Sequence, residues 1–248
     1  MTKKRPSQIN SNPGLLNPPL RLEDHLNEIR TRLLYVALVF LISSVIGFIF
    51  RERLFEILVH PLNGPLFYTT PAGGFNFVIT LSIRFGLLVA IPFAIYHLAL
   101  FIAPAQPQGM KFPVTPIVGV SFLLLCLGIL FAYYISIPTA LAFLKRFGPG
   151  NISSIITAES YLLFISVFIL GFGLLFQLPL VMFLINKIVH LRVKNLLRAQ
   201  KWVVLAAFVL AAILTPTPDI ANQVMMAIPM IVLYQISVLT IYLANRRY

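Results

Sequence analysis

Six long apolar segments alternate with short polar ones, and this pattern most restricts what the chain can fold into. A helix that crosses a bilayer needs roughly 20 mostly apolar residues, because its backbone polar groups must be satisfied within the helix. The 248 residues are 59% hydrophobic and only 10% charged. We therefore predict an all-α, polytopic integral membrane protein. Its six candidate spans are Leu33–Phe50, Phe75–Ile102, Val114–Leu144, Tyr161–Ile185, Trp202–Leu214 and Ile220–Leu243.

Two of these segments do not fit a simple straight span. The third is longer than one crossing and contains Pro138, so we expect its last turns to bend or to lie in the interface. The fifth is too short for a standard bilayer. Either its helix begins earlier, near Leu196, with Lys201 snorkelling, or the protein thins the bilayer around it, and we take the second as our hypothesis.

The basic residues predict the orientation. Cytoplasmic loops of membrane proteins are enriched in Lys and Arg. One set of connections, which includes both termini, holds most of them: Lys3, Lys4, Arg5, Arg21, Arg30, Arg32, Lys111, Lys187, Arg192, Lys194, Arg198, Lys201, Arg246 and Arg247. The opposite set holds only Arg51, Arg53, Lys145 and Arg146. Both termini should therefore face the cytoplasm or its organellar equivalent.

The segment before the first span divides into two parts. It has no apolar stretch followed by a small-residue cleavage site, so we expect no cleaved signal peptide. Residues 1–20 are rich in Pro, Asn and Ser, which favours a disordered cytoplasmic tail. The following sequence LEDHLNEIRTRL has the charge mix of a short surface helix. We expect residues 21–248 to form a single membrane domain.

Motifs for catalysis are missing from the sequence. The four histidines lie in four different segments, the one cysteine, Cys126, lies inside an apolar run, and no GxSxG, CxxC or phosphate-binding glycine loop is present. The basic residues are not interleaved with aromatic residues along one surface, as nucleic-acid binding would require. We expect no enzyme activity, no metal, no cofactor and no nucleic-acid partner.

The few acidic residues include one with two interpretations. Glu28 lies four residues before Arg32 in a predicted helix, and such a pair is an ordinary surface ion pair worth a few tenths of a kcal/mol. Alternatively, a carboxylate at the membrane surface can accept a guanidinium group through both oxygens, as recognition of an arginine-bearing peptide requires.

Polar residues inside the spans are candidates for helix contacts or for function. Gln177 is expected either to form an interhelical hydrogen bond or to face a substrate or partner. Pro179 frees a backbone carbonyl and should bend the fourth helix toward a cavity. Arg84 is expected to snorkel toward the outer interface. Asp219 follows two prolines and precedes an apolar run, which is typical of a helix N-cap.

Five motifs, in order, resemble the TatC family of the Sec-independent, twin-arginine protein translocase. They are HLNEIRTRL from His25, FIAPA from Phe101, FAYYISIP from Phe131, FGLLFQLP from Phe172, and LTPTPDIANQ with AIPMIVLYQ between Leu214 and Gln235. The resemblance covers nearly all of the chain from residue 25. It implies a concave, glove-like bundle of six helices with short fifth and sixth helices.

The resemblance also implies roles for particular residues. Glu28, flanked by Leu26 and Arg30, matches the family's glutamate that contacts the paired arginines of signal peptides. Gln108 and Met110 lie in the first cytoplasmic loop, which belongs to the same site. Gln177 matches a polar, commonly acidic, position buried in the fourth helix, and Pro179 ends the same motif. Asp219 and Gln223 match the turn that opens the sixth. Other motif positions are Pro61, Phe131 and Tyr133.

Two positions depart from the family pattern. The first cytoplasmic loop, AQPQGMKF, carries Met110 where the family has a second glutamate, so half of the arginine clamp is missing. The fourth-helix acid is replaced by neutral Gln177. These changes fit either relaxed cargo specificity or a receptor that relies on Glu28 and backbone groups.

The function implied is that of a core receptor subunit, which binds signal peptides of folded cargo and transports the cargo with TatA-type and TatB-type single-span subunits in a hetero-oligomer. The resemblance further implies use of the transmembrane proton gradient, and a location in the bacterial plasma membrane or, alternatively, in the thylakoid or mitochondrial inner membrane. The competing interpretation is a small secondary transporter or channel that uses Gln177 and Arg84 as a solute path. An intramembrane hydrolase is a more distant alternative, since no nucleophile and base can be paired.

Overall fold

The computed structural model describes residues 22–62, 64–102, 115–146, 155–214 and 220–246. The predicted tail, residues 1–20, and the site residues Gln108, Met110 and Asp219 lie outside these ranges. Within them the chain is helical throughout, apart from short connections. The helices are α1 Leu22–Ile49, α2 Arg51–Val59, α3 Gly73–Ile102, α4 Thr115–Phe131, α5 Ile137–Arg146, α6 Ala158–Leu175, α7 Leu178–Ile188, α8 Val193–Leu214 and α9 Ile220–Asn245.

Six stretches in the described ranges are long and apolar enough to cross a membrane, as predicted. They are Asn27–Ile49, Gly73–Phe101, Pro116–Leu144, Ala158–Ile188, Val193–Ile213 and Gln223–Asn245. The predicted surface helix of residues 22–33 is continuous with the first span. The last two spans, with 21 and 23 residues, are shorter than the second, third and fourth, which have 29 to 31.

The fifth span begins earlier than the sequence-based range. Helix α8 starts at Val193, so Lys201 lies within it. Its 22 residues correspond to about 33 Å at about 1.5 Å per residue. That length matches a standard bilayer core. The hypothesis that the protein thins the bilayer here assumed a helix too short to cross it, and that assumption was wrong. The alternative of an earlier start is the one found.

The third span changes its helical geometry before Pro138. Residues Ala132–Ser136 form a π-helical turn, in which the N–H of Ile137 donates to the carbonyl of Ala132. Pro138 has no N–H to donate to the preceding turn, and the wider π-helical turn accommodates this missing hydrogen bond. The predicted irregularity therefore falls just before the proline.

The fourth span, α6 and α7, contacts the second, third, fifth and sixth spans. Helix α1 packs against α3, α4 against α6, and α8 against α9, while α3 also contacts α4 and α6. Close approach is possible where glycine replaces a side chain. A Cβ on Gly128 would lie 2.7 Å from the carbonyl oxygen of Phe172, so α4 and α6 touch backbone to backbone there.

Two connections meet at one end of the bundle, which we call the α2 end. Phe67 and Thr157 form an isolated parallel bridge there, with the N–H of Phe67 donating to the carbonyl of Ile156 at 3.2 Å. Two tyrosines fasten α2 over the helices below: Tyr133 Oη donates to the carbonyl of Ile57 at 2.8 Å, and Tyr161 Oη to that of Leu58 at 2.9 Å. We call the opposite end, which carries Leu22 and Asn245, the terminal end.

Candidate functional site

Glu28 lies on a groove at the terminal end, between α1 and the last turns of α3. The groove has a volume of about 430 Å³ and is lined by Asn27, Glu28, Thr31, Arg32, Tyr35, His97 and Leu100. Helix α1 places five of these side chains on one face, since residues three and four apart are neighbours on a helix. A single carboxylate therefore faces a groove with aromatic and polar walls.

Glu28 is paired with Arg32, and the pairing uses one of its two oxygens. Arg32 Nε donates to Glu28 Oε1 at 3.1 Å, and Arg32 Nη2 donates to the same oxygen. Oε2 has no hydrogen-bond partner among the described residues, and the Glu28 side chain is 31% exposed. The ordinary ion pair is thus present, while one carboxylate oxygen stays free for a second donor.

The wall of the groove contains a histidine that the sequence analysis did not single out. The ring of His97 stacks on Tyr35, with centroids 5.7 Å apart and planes at 5°, and meets the edge of Tyr96 at 5.4 Å. Its Nδ1 is buried without a hydrogen-bond partner in the described part of the chain. The available signal was a histidine in the last turns of an apolar helix, four residues before the FIAPA segment.

The other residues expected at this site are placed differently. Arg30 is exposed on α1 and is not part of the groove wall. Leu26 belongs to α1, and its side chain lies outside the described part. The loop with Gln108 and Met110 follows α3, whose last turns form one wall of the groove.

Gln177 is buried in the bundle and bound to the third span. Ser121 Oγ donates to Gln177 Oε1 at 2.6 Å, and Gln177 Nε2 donates to the carbonyl of Ser121 at 3.1 Å. The residue is 1% exposed. Of the two interpretations of Gln177, the structure shows the interhelical hydrogen bond. A contact of this side chain with a partner would require α4 and α6 to separate.

Gln177 stands where the fourth span is interrupted. Helix α6 ends at Leu175 and α7 begins at Leu178, because Pro179 has no N–H to donate to the carbonyl of Leu175. The N–H of Gln177 donates to the carbonyl of Leu174, three residues back, at 3.0 Å, and not to the residue four back as in a regular α-helix. Pro179 itself is buried in the first turn of α7. The predicted disturbance of the helix is present at this proline.

Gln223 and the aromatic motif residues also make contacts within the bundle. Gln223 Nε2 donates to the carbonyl of Phe208 at 2.9 Å and joins α9 to α8. The ring of Phe131 packs against that of Phe172 at 5.0 Å. Pro61 and Tyr133 line a depression of about 680 Å³ at the α2 end. These positions support the shape of the bundle at a distance from the Glu28 groove.

The side chain of Arg84 points toward the α2 end, as expected, but it is bound inside the bundle. Its Nη1 donates to the carbonyl of Leu162 and to Ser166 Oγ, each at 2.6 Å. Both partners belong to α6 and are buried, at 3% and 8% exposure. The guanidinium group therefore ends inside the bundle, because two acceptors of the neighbouring helix are within reach.

In the part of the chain that is described, no three His, Cys, Asp or Glu side chains come together as a metal site requires. The described residues form a binding surface: the Glu28 carboxylate, with one oxygen bound by Arg32, lies in a groove at the end of a bundle of apolar spans. This arrangement defines a multi-pass membrane protein with a receptor-type surface.

Comparison with known proteins agrees with this class. The family model described as "Sec-independent protein translocase protein (TatC)" matches residues 24–229. The TatC protein of Aquifex aeolicus (strain VF5) is 34% identical over 233 residues, which cover 91% of this chain and 96% of that protein. The TatC protein of Helicobacter pylori (strain J99 / ATCC 700824) is 30% identical over 224 residues, which cover 90% of each chain. A crystal structure of a twin-arginine translocase receptor, TatC, superposes with a TM-score of 0.77 at 34% identity and covers 89% of this chain and 99% of that one.

The chain belongs to the TatC family of Sec-independent protein translocase proteins. The family, the six-helix membrane fold and the protein-transport role predicted from the sequence are thereby confirmed. The chain is a protein translocase component, and its family places it in a Tat translocase complex.

Proposed function

We propose that this protein is the receptor subunit of a twin-arginine translocase and that the Glu28 groove binds the basic region of cargo signal peptides. The observation that carries the proposal is the state of Glu28, whose Oε1 is bound by Arg32 while Oε2 has no partner among the residues that the structure describes. A guanidinium group matches a carboxylate with two parallel N–H donors, which an ammonium group cannot do. Discrimination of arginine from lysine is therefore a property that this carboxylate can supply.

Arg32 takes part in the recognition as an internal competitor. Part-exposed ion pairs of this kind contribute about 0.2–1 kcal/mol, so a peptide arginine can displace Arg32 or share Glu28 with it. Tyr35 stacks one face of its ring on His97 and is 54% exposed, so its other face offers a surface on which a second guanidinium group can lie. This surface is our candidate for the part of the clamp that Met110 does not provide.

The further parts of the assembly follow the family. TatA-type and TatB-type single-span subunits are the expected partners, together with folded cargo proteins, and the transmembrane proton gradient drives transport. Both termini face the cytoplasm, in agreement with the distribution of Lys and Arg. A bacterial plasma membrane is the proposed location, since the bacterial TatC proteins of Aquifex aeolicus and Helicobacter pylori match nearly the whole chain.

The transporter alternative has less support. It requires Gln177 and Arg84 to line a path for a solute. Gln177 is 1% exposed and bound to Ser121, while Arg84 is bound to α6. Both side chains hold helices together, which agrees better with a receptor scaffold.

Photo-crosslinking of a twin-arginine signal peptide in membranes tests the proposal. Photoreactive side chains at Asn27, Thr31 and Tyr35 would report on the groove, and one at Leu205, exposed on α8, would serve as the control position. We expect crosslinks at the groove that are strong with an arginine pair and weak with a lysine pair.

The matched variants are Glu28→Gln and Glu56→Gln. Glu56 is also a surface glutamate paired with an arginine, Arg53, at 3.1 Å, but it lies on α2 at the opposite end. Loss of crosslinking in Glu28→Gln but not in Glu56→Gln is the expected result. Equal crosslinking of arginine and lysine peptides, or no effect of Glu28→Gln, would contradict the proposal.

A further inference from the structure

Arg84 of α3 uses only part of the hydrogen-bonding capacity of its guanidinium group. Nη1 donates to the carbonyl of Leu162 and to Ser166 Oγ, each at 2.6 Å. Nε and Nη2 have no hydrogen-bond partner among the described residues, and the ion pairs found there do not include Arg84. Within the described ranges, the positive charge of Arg84 is therefore uncompensated, and two of its nitrogens can still donate to a ligand.

The carboxylates at the same end of the bundle are placed elsewhere. Glu159, in the first turn of α6, has its Oε1 beside Gly73, only 2.7 Å from where a Cβ on that residue would lie. Gly73 begins α3 and is eleven residues before Arg84, or about 16 Å along the helix axis. Glu52 and Glu56 pair with arginines of α2 itself. These three acids therefore leave the charge of Arg84 to a negative group from outside the described chain.

The guanidinium group lies toward the α2 end of the bundle. Its acceptor Leu162 is four residues after Ala158, where α6 begins, which corresponds to about 6 Å along the helix axis. Leu54 and Leu58 of α2 pack against the cluster of apolar side chains that contains Leu162. Long basic side chains near the ends of spans place their charge close to the lipid headgroups. This depth is suited to a phosphate of the leaflet at the α2 end.

An apolar cavity lies directly beside the guanidinium group. It has a volume of about 230 Å³ and is enclosed by side chains from α2, α3, the third span and α6. Besides Arg84, its polar lining residues are Tyr133 and Ser166. The hydroxyls of both donate to backbone carbonyls, at 2.8 Å and 2.6 Å. Arg84 thus supplies unpaired donors at the edge of walls that are otherwise apolar.

The size and polarity of the cavity fit a hydrocarbon chain. An α-helix with its side chains is about 10–12 Å across, so a space of this volume cannot admit one. A single acyl chain is much thinner, and its transfer into apolar walls leaves no polar group unsatisfied. Ile57, which lines the cavity, is 50% exposed, so the cavity reaches the surface of the bundle.

We propose that Arg84 binds the phosphate of an anionic phospholipid in the leaflet at the α2 end, and that one acyl chain of this lipid fills the cavity. Charge complementarity carries the assignment, because the planar fork of a guanidinium group matches two phosphate oxygens. A headgroup with a net negative charge compensates Arg84, whereas a zwitterionic headgroup brings its own positive charge. The site goes beyond the proposed function and depends on neither the Glu28 groove nor a signal peptide.

Photolabelling with two lipid probes tests the inference. Both probes carry a diazirine in one acyl chain, and they differ only in the headgroup, which is phosphatidylglycerol in one and phosphatidylcholine in the other. Each is added in trace amount to phosphatidylcholine vesicles that contain the full chain, and mass spectrometry identifies the labelled peptides. The exposed surface of α8 at Leu205 and Val209 is the reference for contact with bulk lipid.

The expected result is a preference confined to the cavity. Relative to the α8 reference, the phosphatidylglycerol probe should label the cavity walls of α3 and α6 about fivefold more than the phosphatidylcholine probe, since one basic residue near the surface attracts an anionic lipid by about this factor. Ile129→Trp fills part of the cavity with a bulkier side chain. It should lower the labelling of the walls by both probes.

The arginine variants locate the effect. The preference should disappear in Arg84→Gln and persist in part in Arg84→Lys, which keeps the charge but not the planar fork. Arg53→Gln is the matched control, because it removes an exposed arginine of α2 at the same end of the bundle. It should leave the preference unchanged.

Four results would overturn the proposal. Equal labelling of the cavity walls by both probes in the unaltered protein would do so, and so would the absence of labelling there by either probe; neither result depends on a variant that folds. A preference that survives in a folded Arg84→Gln protein would also contradict it. If inorganic phosphate at constant ionic strength abolishes the preference, the ligand is a free anion and the lipid assignment is wrong.

Discussion

The side chain of Gln177 and residue Ser121 exchange two hydrogen bonds across the contact between the fourth and third spans, at 2.6 Å and 3.1 Å. Both residues are buried. The bonds lie at the interruption between α6 and α7, where Pro179 leaves the carbonyl of Leu175 without its usual helical donor. A polar residue in the middle of an apolar span thus joins the broken helix to its neighbour.

The Gln177 contact should be measurable as a coupling energy. Gln177→Leu removes both hydrogen bonds, whereas Ser121→Ala removes only the one that Ser121 Oγ donates. Interhelical hydrogen bonds of this kind are worth about 1 kcal/mol. We expect each variant to lower the free energy of unfolding in detergent by about this amount. The double variant should lose clearly less than the sum of the two. Unfolding is followed by the circular dichroism of the helices. Additive losses in the two variants would show that the two residues do not interact.

The close approach of α4 to α6 should make Gly128 intolerant of a side chain. A Cβ there would meet the backbone oxygen of Phe172 at 2.7 Å, and a backbone atom cannot move aside as a flexible side chain can. We expect Gly128→Val to lower the free energy of unfolding by about 1–3 kcal/mol.

Gly119→Val is the matched control for this substitution. Gly119 lies on the same helix, and a Cβ there has nothing within 4 Å. Denaturant unfolding of the two purified variants is the measurement. Similar stability of the two proteins would contradict the packing assigned to Gly128.

Removal of Arg32 should strengthen binding of a twin-arginine peptide. Arg32 occupies Glu28 Oε1 and repels an incoming guanidinium group, so Arg32→Gln leaves the carboxylate free. We expect a several-fold lower Kd for the arginine peptide, with a steeper dependence on salt.

Arg30→Gln is the control for Arg32. Arg30 is on the same helix and is exposed, but it does not line the groove. A fluorescence titration with labelled signal peptide in nanodiscs measures both variants. If Arg32→Gln weakens binding, Arg32 holds the groove in shape and does not compete with the peptide.

The two tyrosine hydroxyls beneath α2 should control the mobility of that helix. Tyr133 and Tyr161 donate to the carbonyls of Ile57 and Leu58, and α2 has no buried side chain of its own. In a protein with both tyrosines changed to phenylalanine, we expect faster amide hydrogen exchange over Arg51–Val59.

The same experiment contains its own comparison. Exchange within α8 should remain unchanged, since α8 packs mainly against α9. Mass spectrometry of exchanged peptides reports both regions together. Unchanged exchange in α2 would mean that apolar contacts alone hold it in place.

Much of the fold follows from the sequence, because its cause is local. A bilayer-length apolar run must become a helix whatever its neighbours are, so six spans were predictable from composition and length. Pro138 and Pro179 likewise disturb their helices through the missing N–H, which is a property of the residue itself. The boundaries were less accurate. The basic residues before Trp202 hid the early start of α8 at Val193, since charges near a helix end can snorkel.

The candidate site was predictable only in part, because its geometry depends on contacts between distant segments. The motif around Glu28 identified that residue, but not the nearby ring of His97, which is about seventy residues away in the sequence. Arg84 was expected to point toward the outer interface, but no sequence pattern shows that Ser166 and the carbonyl of Leu162 bind it inside the bundle.

The sequence by itself therefore determined the class of the protein, its number of spans and its family, since hydrophobicity, helix length and ordered motifs are properties of single segments. The tertiary structure decided how each intramembrane polar group is satisfied. Gln177 is bound to Ser121, and Arg84 is bound to Leu162 and Ser166 of α6, because in a membrane a polar side chain takes its partner from whichever helix packs beside it.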